Sequence, residues 1–174
     1  MELEITDEDL RFEEEVQRTP YKVTAWQRYL GHKQQGDFRT LAVLYERALQ
    51  RVPFSYKLWK QYLDMRRQRL VGKNPLHWSE DYRKMELCYE RALLYLRKMP
   101  RIWLDYCGFI MEVPDVTTIR RVFDRALRAL PVTLHERVWQ VYLGWAARVG
   151  GVTGKRVWSR CLRVWPGRIE EYGR

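Results

Sequence analysis

The chain has 174 residues, a formal net charge of +10, 46% apolar residues and 31% charged residues. This balance predicts a folded chain with a packed core and excludes a chain that is disordered throughout. No run of about 18 apolar residues occurs, and the first residues are acidic where a signal or transit peptide is basic. We therefore expect neither a membrane-spanning nor a secreted protein.

The cysteines and histidines give no sign of a metal site or of a nucleophile with its base. They are Cys88, Cys107, Cys161, His32, His77 and His135. The cysteines form no C-x-x-C pair, and the histidines have no ligand at metal-binding spacing. We expect reduced thiols in the core of an intracellular protein, and the sequence predicts no catalytic, cofactor-binding or metal-binding residue.

Charge is distributed unevenly along the chain. Residues 1–19 contain eight acidic and two basic groups, a balance of −6, so the remainder carries +16. A basic body attracts nucleic acid or acidic proteins over long range, and charge alone does not decide between them.

The first predicted element is an acidic helix over residues 7–18. Its segment Phe12–Val16 is similar to the second helix of the hairpins that follow. We expect residues 1–20 to form a capping half-repeat over the first complete hairpin.

Four helical hairpins are predicted next, each preceded by a proline that a helix cannot continue through. The first helix of each carries Trp-x-x-Tyr and an apolar residue, and the second carries aromatic, acidic, Arg, small, Leu. Ser55 and Thr133 are expected to be N-caps. The predicted helices cover 21–35, 38–51, 55–69, 79–98, 101–112, 116–130, 134–148 and 154–164.

These helices define the expected repeats. The repeats are 21–53, 54–100, 101–131 and 132–166. The second contains a loop insertion over 70–79, and residues 167–174 begin a truncated fifth repeat. Stacked hairpins predict an all-α fold, a right-handed α-solenoid of antiparallel helical hairpins, which is mostly used for binding.

The recurring aromatic and small residues are predicted to pack the hairpins together. A small residue lets two helix backbones approach, and the aromatic residue before it fills the neighbouring groove. These repeat-packing residues are Trp26, Tyr29, Tyr45, Ala48, Trp59, Tyr62, Tyr89, Ala92, Trp103, Tyr106, Phe123, Ala126, Trp139, Tyr142, Trp158 and Cys161. The four tryptophans of the Trp-x-x-Tyr motifs recur in register with the apolar face of their helices. We therefore favour a position in the core for these rings over a role in stacking on bases.

The arginine of the second-helix motif recurs as Arg47, Arg91, Arg125 and Arg160. These arginines line a groove for phosphates or acidic peptides, or each pairs with a carboxylate of its own or the next hairpin and holds the stack in register. The second interpretation is favoured.

Three basic clusters are candidate contacts to a partner or to phosphate. Their residues are Arg66, Arg67, Arg69, Arg97, Lys98, Arg101, Arg120 and Arg121. They support an alternative function, in which a basic helical-repeat module binds single-stranded RNA directly. Such RNA binding is expected to be nonspecific.

The repeat resembles the half-a-TPR, or HAT, family of RNA-processing proteins. Segments 44–49, 55–59, 98–107 and 123–131 are similar to the N-terminal repeats of SYF-type pre-mRNA-splicing factors, the XPA-binding protein family. The resemblance covers about Leu10 to Tyr172. Ser159 departs from the pattern, since it stands where the motif has an acidic residue.

This resemblance implies a non-catalytic nuclear scaffold of the spliceosome, within the Prp-nineteen-associated complex. The implied partners are the crooked-neck-like HAT protein, the Aquarius-type helicase and small associated factors. It implies no cofactor, no membrane and no small-molecule substrate.

Overall fold

The computed structural model describes residues 6–164, which contain nine α-helices, two 3-10 helices and no strand. The α-helices are α1 (Leu10–Arg18), α2 (Val23–His32), α3 (Phe38–Arg51), α4 (Tyr56–Gln68), α5 (Ser79–Tyr95), α6 (Pro100–Ile110), α7 (Val116–Ala129), α8 (His135–Val149) and α9 (Gly151–Val164). The 3-10 helices are Asp7–Asp9 and Val132–Leu134. Every predicted helix is present, with ends within three residues of the expected ones, and the all-α prediction is confirmed.

Side-chain caps set several helix starts. Asp37 accepts a hydrogen bond from the Arg39 N–H at the start of α3, and Ser55 accepts one from the Leu58 N–H at the start of α4. The prediction that Thr133 caps α8 is wrong. Thr133 lies within the 3-10 helix, and that single turn leads into α8 without a side-chain cap.

Helix α9 begins three residues earlier than the sequence predicts. Gly150 and Gly151 have φ angles of +64° and +56°, a backbone region that favours glycine. The two glycines complete the turn after α8 by themselves, so the helix starts at Gly151.

The fold divides into two compact units. Among the described residues, unit 1 comprises 6–73 and 83–96, and unit 2 comprises 74–82 and 97–164. Within unit 1, α1 packs on α2, α2 on α3 and α3 on α4; within unit 2, α6 packs on α7, α7 on α8 and α8 on α9. Packing between consecutive helices is what helical hairpins require. The exact repeat boundaries, 21–53, 54–100, 101–131 and 132–166, stay a prediction.

The small position of the second-helix motif gives a stability prediction. We expect Ala92→Leu to lower the free energy of unfolding by about 2 kcal/mol, because Ala92 is fully buried and added methylenes overpack a core. Leu94→Ala in the same helix should change it little, since Leu94 is 78% exposed. Urea unfolding followed by circular dichroism measures both. Equal stability of Ala92→Leu and the parent would contradict close packing at Ala92.

Candidate functional site

The structure buries the repeat-packing residues that the sequence selects, with one exception. Fifteen of the sixteen are buried, and Trp158 is half-buried. Each ring of the Trp-x-x-Tyr motif therefore lies inside its own unit, where it has no face open to a nucleic-acid base.

Three of these tryptophans also fix the proline turn that precedes their helix. In each, the indole N–H donates to the backbone carbonyl six residues earlier, over 2.8 Å: Trp26 to Pro20, Trp59 to Pro53 and Trp103 to Arg97. The Trp139 indole N–H is buried without a hydrogen-bond partner among residues 6–164. The 3-10 helix lengthens the segment between Pro131 and Trp139, so the same bond does not form.

The motif arginines lie over these tryptophan rings. The distances from guanidinium carbon to ring centroid are 5.9 Å for Arg47 and Trp26, 5.8 Å for Arg91 and Trp59, 5.6 Å for Arg125 and Trp103, and 6.0 Å for Arg160 and Trp139. A guanidinium about 6 Å from an aromatic face is attracted by the ring quadrupole. The arginine in the second helix of each hairpin is thereby held against the first.

Carboxylates of the preceding motif complete three of these arrangements. Arg47 donates two hydrogen bonds to Glu13, of 2.6 and 2.8 Å, and Arg91 donates two to Glu46, of 2.9 and 2.6 Å. Arg160 donates to Asp124. We call each set of arginine, tryptophan and carboxylate an arginine clamp.

The clamps decide between the two interpretations of the motif arginines. Arg47, Arg91 and Arg160 pair with carboxylates and hold hairpins in register, and the carboxylate comes from the preceding hairpin. Because two parallel N–H···O bonds fix both groups in one plane, a clamp specifies the rotation of one helix against another.

Electrostatics within unit 1 agree with this geometry. Hydrogen bonds from Arg47 hold the pKa of the Glu13 carboxyl below its ordinary value, against burial that raises it. Burial also raises the pKa of Glu46, but hydrogen bonds from Arg91 and from the Tyr62 hydroxyl, 2.6 Å away, lower it below the ordinary value. Both carboxylates are therefore charged at neutral pH.

A buried aspartate near the N-terminus is a feature that the sequence analysis missed. The side chain of Asp9 is fully buried, with Lys33 Nζ 2.6 Å from one carboxylate oxygen and His32 Nε2 3.3 Å from the other. The backbone N–H and hydroxyl of Thr6 both donate to Asp9, over 2.8 and 2.7 Å. Thr-x-x-Asp before a helix is a capping signal. It could have revealed the local Thr6–Asp9 contact, but not the contacts of Asp9 with His32 and Lys33.

This aspartate predicts a dependence of stability on pH. Burial raises the pKa of Asp9, yet the hydrogen bonds from Lys33 and Thr6 lower it from 3.8 to about 2. A pKa that is lower in the folded state stabilises the fold above about pH 4, and this contribution is lost as the pH falls through about 2. We expect Asp9→Asn to destabilise the chain at about pH 6, with the difference from the parent shrinking between about pH 4 and 2. Urea unfolding across this range tests it, and a constant difference would contradict the assignment.

The basic residues proposed as partner contacts fall into two groups. Arg66 donates to the Tyr62 hydroxyl over 3.1 Å, Arg69 lies 4.2 Å over the Phe38 ring, and Lys98 donates to the Ala129 carbonyl over 2.9 Å. Of the other five, Arg97, Arg101 and Arg121 are exposed, while Arg67 and Arg120 are half-buried. At least three of the eight thus contribute to intramolecular contacts.

The three cysteines are unpaired and buried. Burial raises the pKa of Cys88 to about 11 and that of Cys107 to about 12, so both remain thiols at neutral pH. Within residues 6–164, no group of three His, Cys, Asp or Glu side chains is placed to hold a metal ion. No helix in that range has the length and apolar content needed to cross a membrane.

Recurring hairpins, buried Trp-x-x-Tyr rings and arginine clamps define a helical repeat protein. The chain belongs to the family described as the pre-mRNA-splicing factor Syf1/CNRKL1 N-terminal HAT repeat, whose model matches residues 8–167. The resemblance to SYF-type splicing factors is thereby confirmed.

Relatives from distant organisms match along nearly the whole chain. Pre-mRNA-splicing factor SYF1 of Homo sapiens is 44% identical over 172 residues, which cover 98% of this chain and 20% of that protein. The syf1 homolog of Drosophila melanogaster is 42% identical, covering 99% and 19%, and cwf3 of Schizosaccharomyces pombe is 39% identical, covering 97% and 21%. The chain spans about a fifth of the length of these curated relatives.

Proposed function

We propose that the chain is a non-catalytic protein–protein scaffold in pre-mRNA splicing. The arginine clamps carry this proposal, because they engage the recurring arginines, tryptophans and carboxylates in holding hairpins together. Repetition of that kind builds an extended surface for partners and assembles no reaction centre. The relatives are named as pre-mRNA-splicing factors, which supports the process.

The same proposal extends to the setting and the partners. We infer a nuclear protein of the Prp-nineteen-associated complex, in contact with the crooked-neck-like HAT protein, the Aquarius-type helicase and small associated factors. The similarity to SYF-type splicing factors supports this inference, and the share of their length that the chain spans limits it to part of their contacts.

Affinity capture from nuclear extract tests the scaffold. The tagged chain is incubated with extract with and without ribonuclease, and the retained proteins are identified by mass spectrometry. Splicing proteins that stay bound after ribonuclease support direct protein contacts. Complete loss of them would contradict the scaffold and favour tethering through RNA.

A matched variant makes that experiment specific. Ala92→Leu overpacks a buried position without changing surface charge, so partners that need the native packing of the hairpins should be captured less by it than by the parent. Partners that the tag alone captures equally well do not count as scaffold contacts.

Two observations weaken the alternative function, direct binding of single-stranded RNA. The four Trp-x-x-Tyr tryptophans, for which base stacking was the less favoured role, are buried. Arg66, Arg69 and Lys98 contact groups within their own units. The charge of +10 still favours weak, salt-sensitive RNA binding.

A further inference from the structure

The turn between α1 and α2 and the turn between α3 and α4 share a second sequence pattern, distinct from the clamps. Residues 18–21 read Arg-Thr-Pro-Tyr and residues 51–54 read Arg-Val-Pro-Phe, 33 positions apart. Tyr21 and Phe54 are the most exposed aromatic side chains given for residues 6–164, at 73% and 72%. Two large rings at one repeat position are thus presented to solvent, where a packing role would bury them.

The backbone holds these rings in equivalent places. Tyr21 and Phe54 each follow the proline whose carbonyl accepts the indole N–H of Trp26 or Trp59, over 2.8 Å in both turns. Each ring is therefore attached one residue beyond a backbone group that the core fixes. The Tyr95 ring also stands perpendicular to Phe54, with centroids 5.5 Å apart.

A cation precedes each ring. Arg18 and Arg51 lie in the last turns of α1 and α3, and both are exposed. Within residues 6–164, neither guanidinium has a hydrogen-bond or ion-pair partner, whereas Arg47 and Arg91 are held in clamps. Two arginines are thus available to an external anion.

We propose that this turn edge, formed by Arg18, Tyr21, Arg51 and Phe54, binds single-stranded nucleic acid. Exposed rings on which bases stack, beside cations that contact the phosphates, are the two components of such sites. An acidic peptide would satisfy the arginines but would leave the two rings without stacking partners. The inference goes beyond the scaffold function and does not depend on it.

Fluorescence anisotropy with short labelled oligouridylate and oligothymidylate tests the site on the full chain. We expect Tyr21→Ala with Phe54→Ala to weaken binding about fivefold or more for each ring lost. Arg18→Gln with Arg51→Gln should weaken binding and reduce the slope of log affinity against log salt by about 1.4, at about 0.7 for each phosphate contact. Dependence of either oligonucleotide on these residues supports the proposal, since both share bases and phosphates.

Matched variants separate the site from general charge and from unfolding. Tyr21→Phe with Phe54→Tyr keeps both rings and should bind like the parent. Arg39→Gln removes an exposed charge at the opposite end of α3 and should reduce affinity less than Arg51→Gln. All four side chains are exposed, so melting temperatures should stay unchanged.

Two results would overturn the proposal: parental affinity for both oligonucleotides in the double alanine variant, or an equal loss of affinity from Arg39→Gln and Arg51→Gln. If the double alanine variant binds both oligonucleotides normally but no longer captures splicing proteins after ribonuclease, the edge is a protein interface. That outcome would leave the scaffold function standing.

Discussion

Replacing Glu13 by alanine is expected to lower the free energy of unfolding by about 2–3 kcal/mol. Glu13 is 5% exposed and accepts both hydrogen bonds from Arg47. Its removal takes away two charge-assisted hydrogen bonds and leaves the guanidinium over Trp26 without a counter-charge. The Arg47 side chain is 35% exposed, so solvent reduces the cost of the unpaired charge. Urea unfolding at neutral pH measures the change.

The neighbouring Glu15 provides the control. It lies in the same helix as Glu13 and pairs with Arg28 of α2 over 2.7 Å. The Arg28 side chain is 59% exposed, so Glu15→Ala should cost at most about 1 kcal/mol. The double variant Glu13→Ala with Arg47→Ala should recover part of the loss, because no unpaired charge remains. Equal costs for Glu13→Ala and Glu15→Ala would show that the clamp does not stabilise the fold.

Local sequence signals account for most of the helices. The stripe through Leu41, Leu44, Tyr45, Ala48, Leu49 and Val52 has the spacing of one helix face. The structure buries the first five, while Val52 is half-buried at the end of α3. Periodicity works here because packing of consecutive hairpins uses the same face of each helix. The turns before α2 and α4 follow likewise from their prolines and the Trp-x-x-Tyr spacing.

Helix periodicity and turn residues do not predict which side chains meet between hairpins. The sequence offers Arg47 a carboxylate in its own or the next hairpin, yet its partner is Glu13, 34 residues earlier. Which carboxylate meets an arginine depends on how two helices are rotated about their axes, and spacing along one helix does not contain that rotation. The spacing of 33 residues between Tyr21 and Phe54 can be seen in the sequence. Only the structure shows that these two rings are exposed and are not part of the core.

At Gly154, the first position of the buried face of α9, the repeat pattern and the structure disagree. Equivalent positions in the earlier copies hold Leu41, Met85 and Ile119, so the pattern favours a large apolar residue at Gly154. In the structure, a Cβ at Gly154 would lie 2.6 Å from the carbonyl oxygen of Ala146. The early start of α9 brings its backbone against α8, and only glycine fits.

We therefore expect Gly154→Ala to lower the free energy of unfolding by about 3 kcal/mol, the upper end of overpacking, because the clash is with backbone that cannot rotate away. Gly144→Ala is the matched control, since it adds the same methyl group to α8 at an exposed site with no atom within 4 Å of the new Cβ. That variant should gain about 0.5–1 kcal/mol, because alanine is the better helix former. Urea unfolding of both variants compares one chemical change in two surroundings. If Gly154→Ala were neutral or stabilising, the close approach of α8 and α9 would not exist in solution.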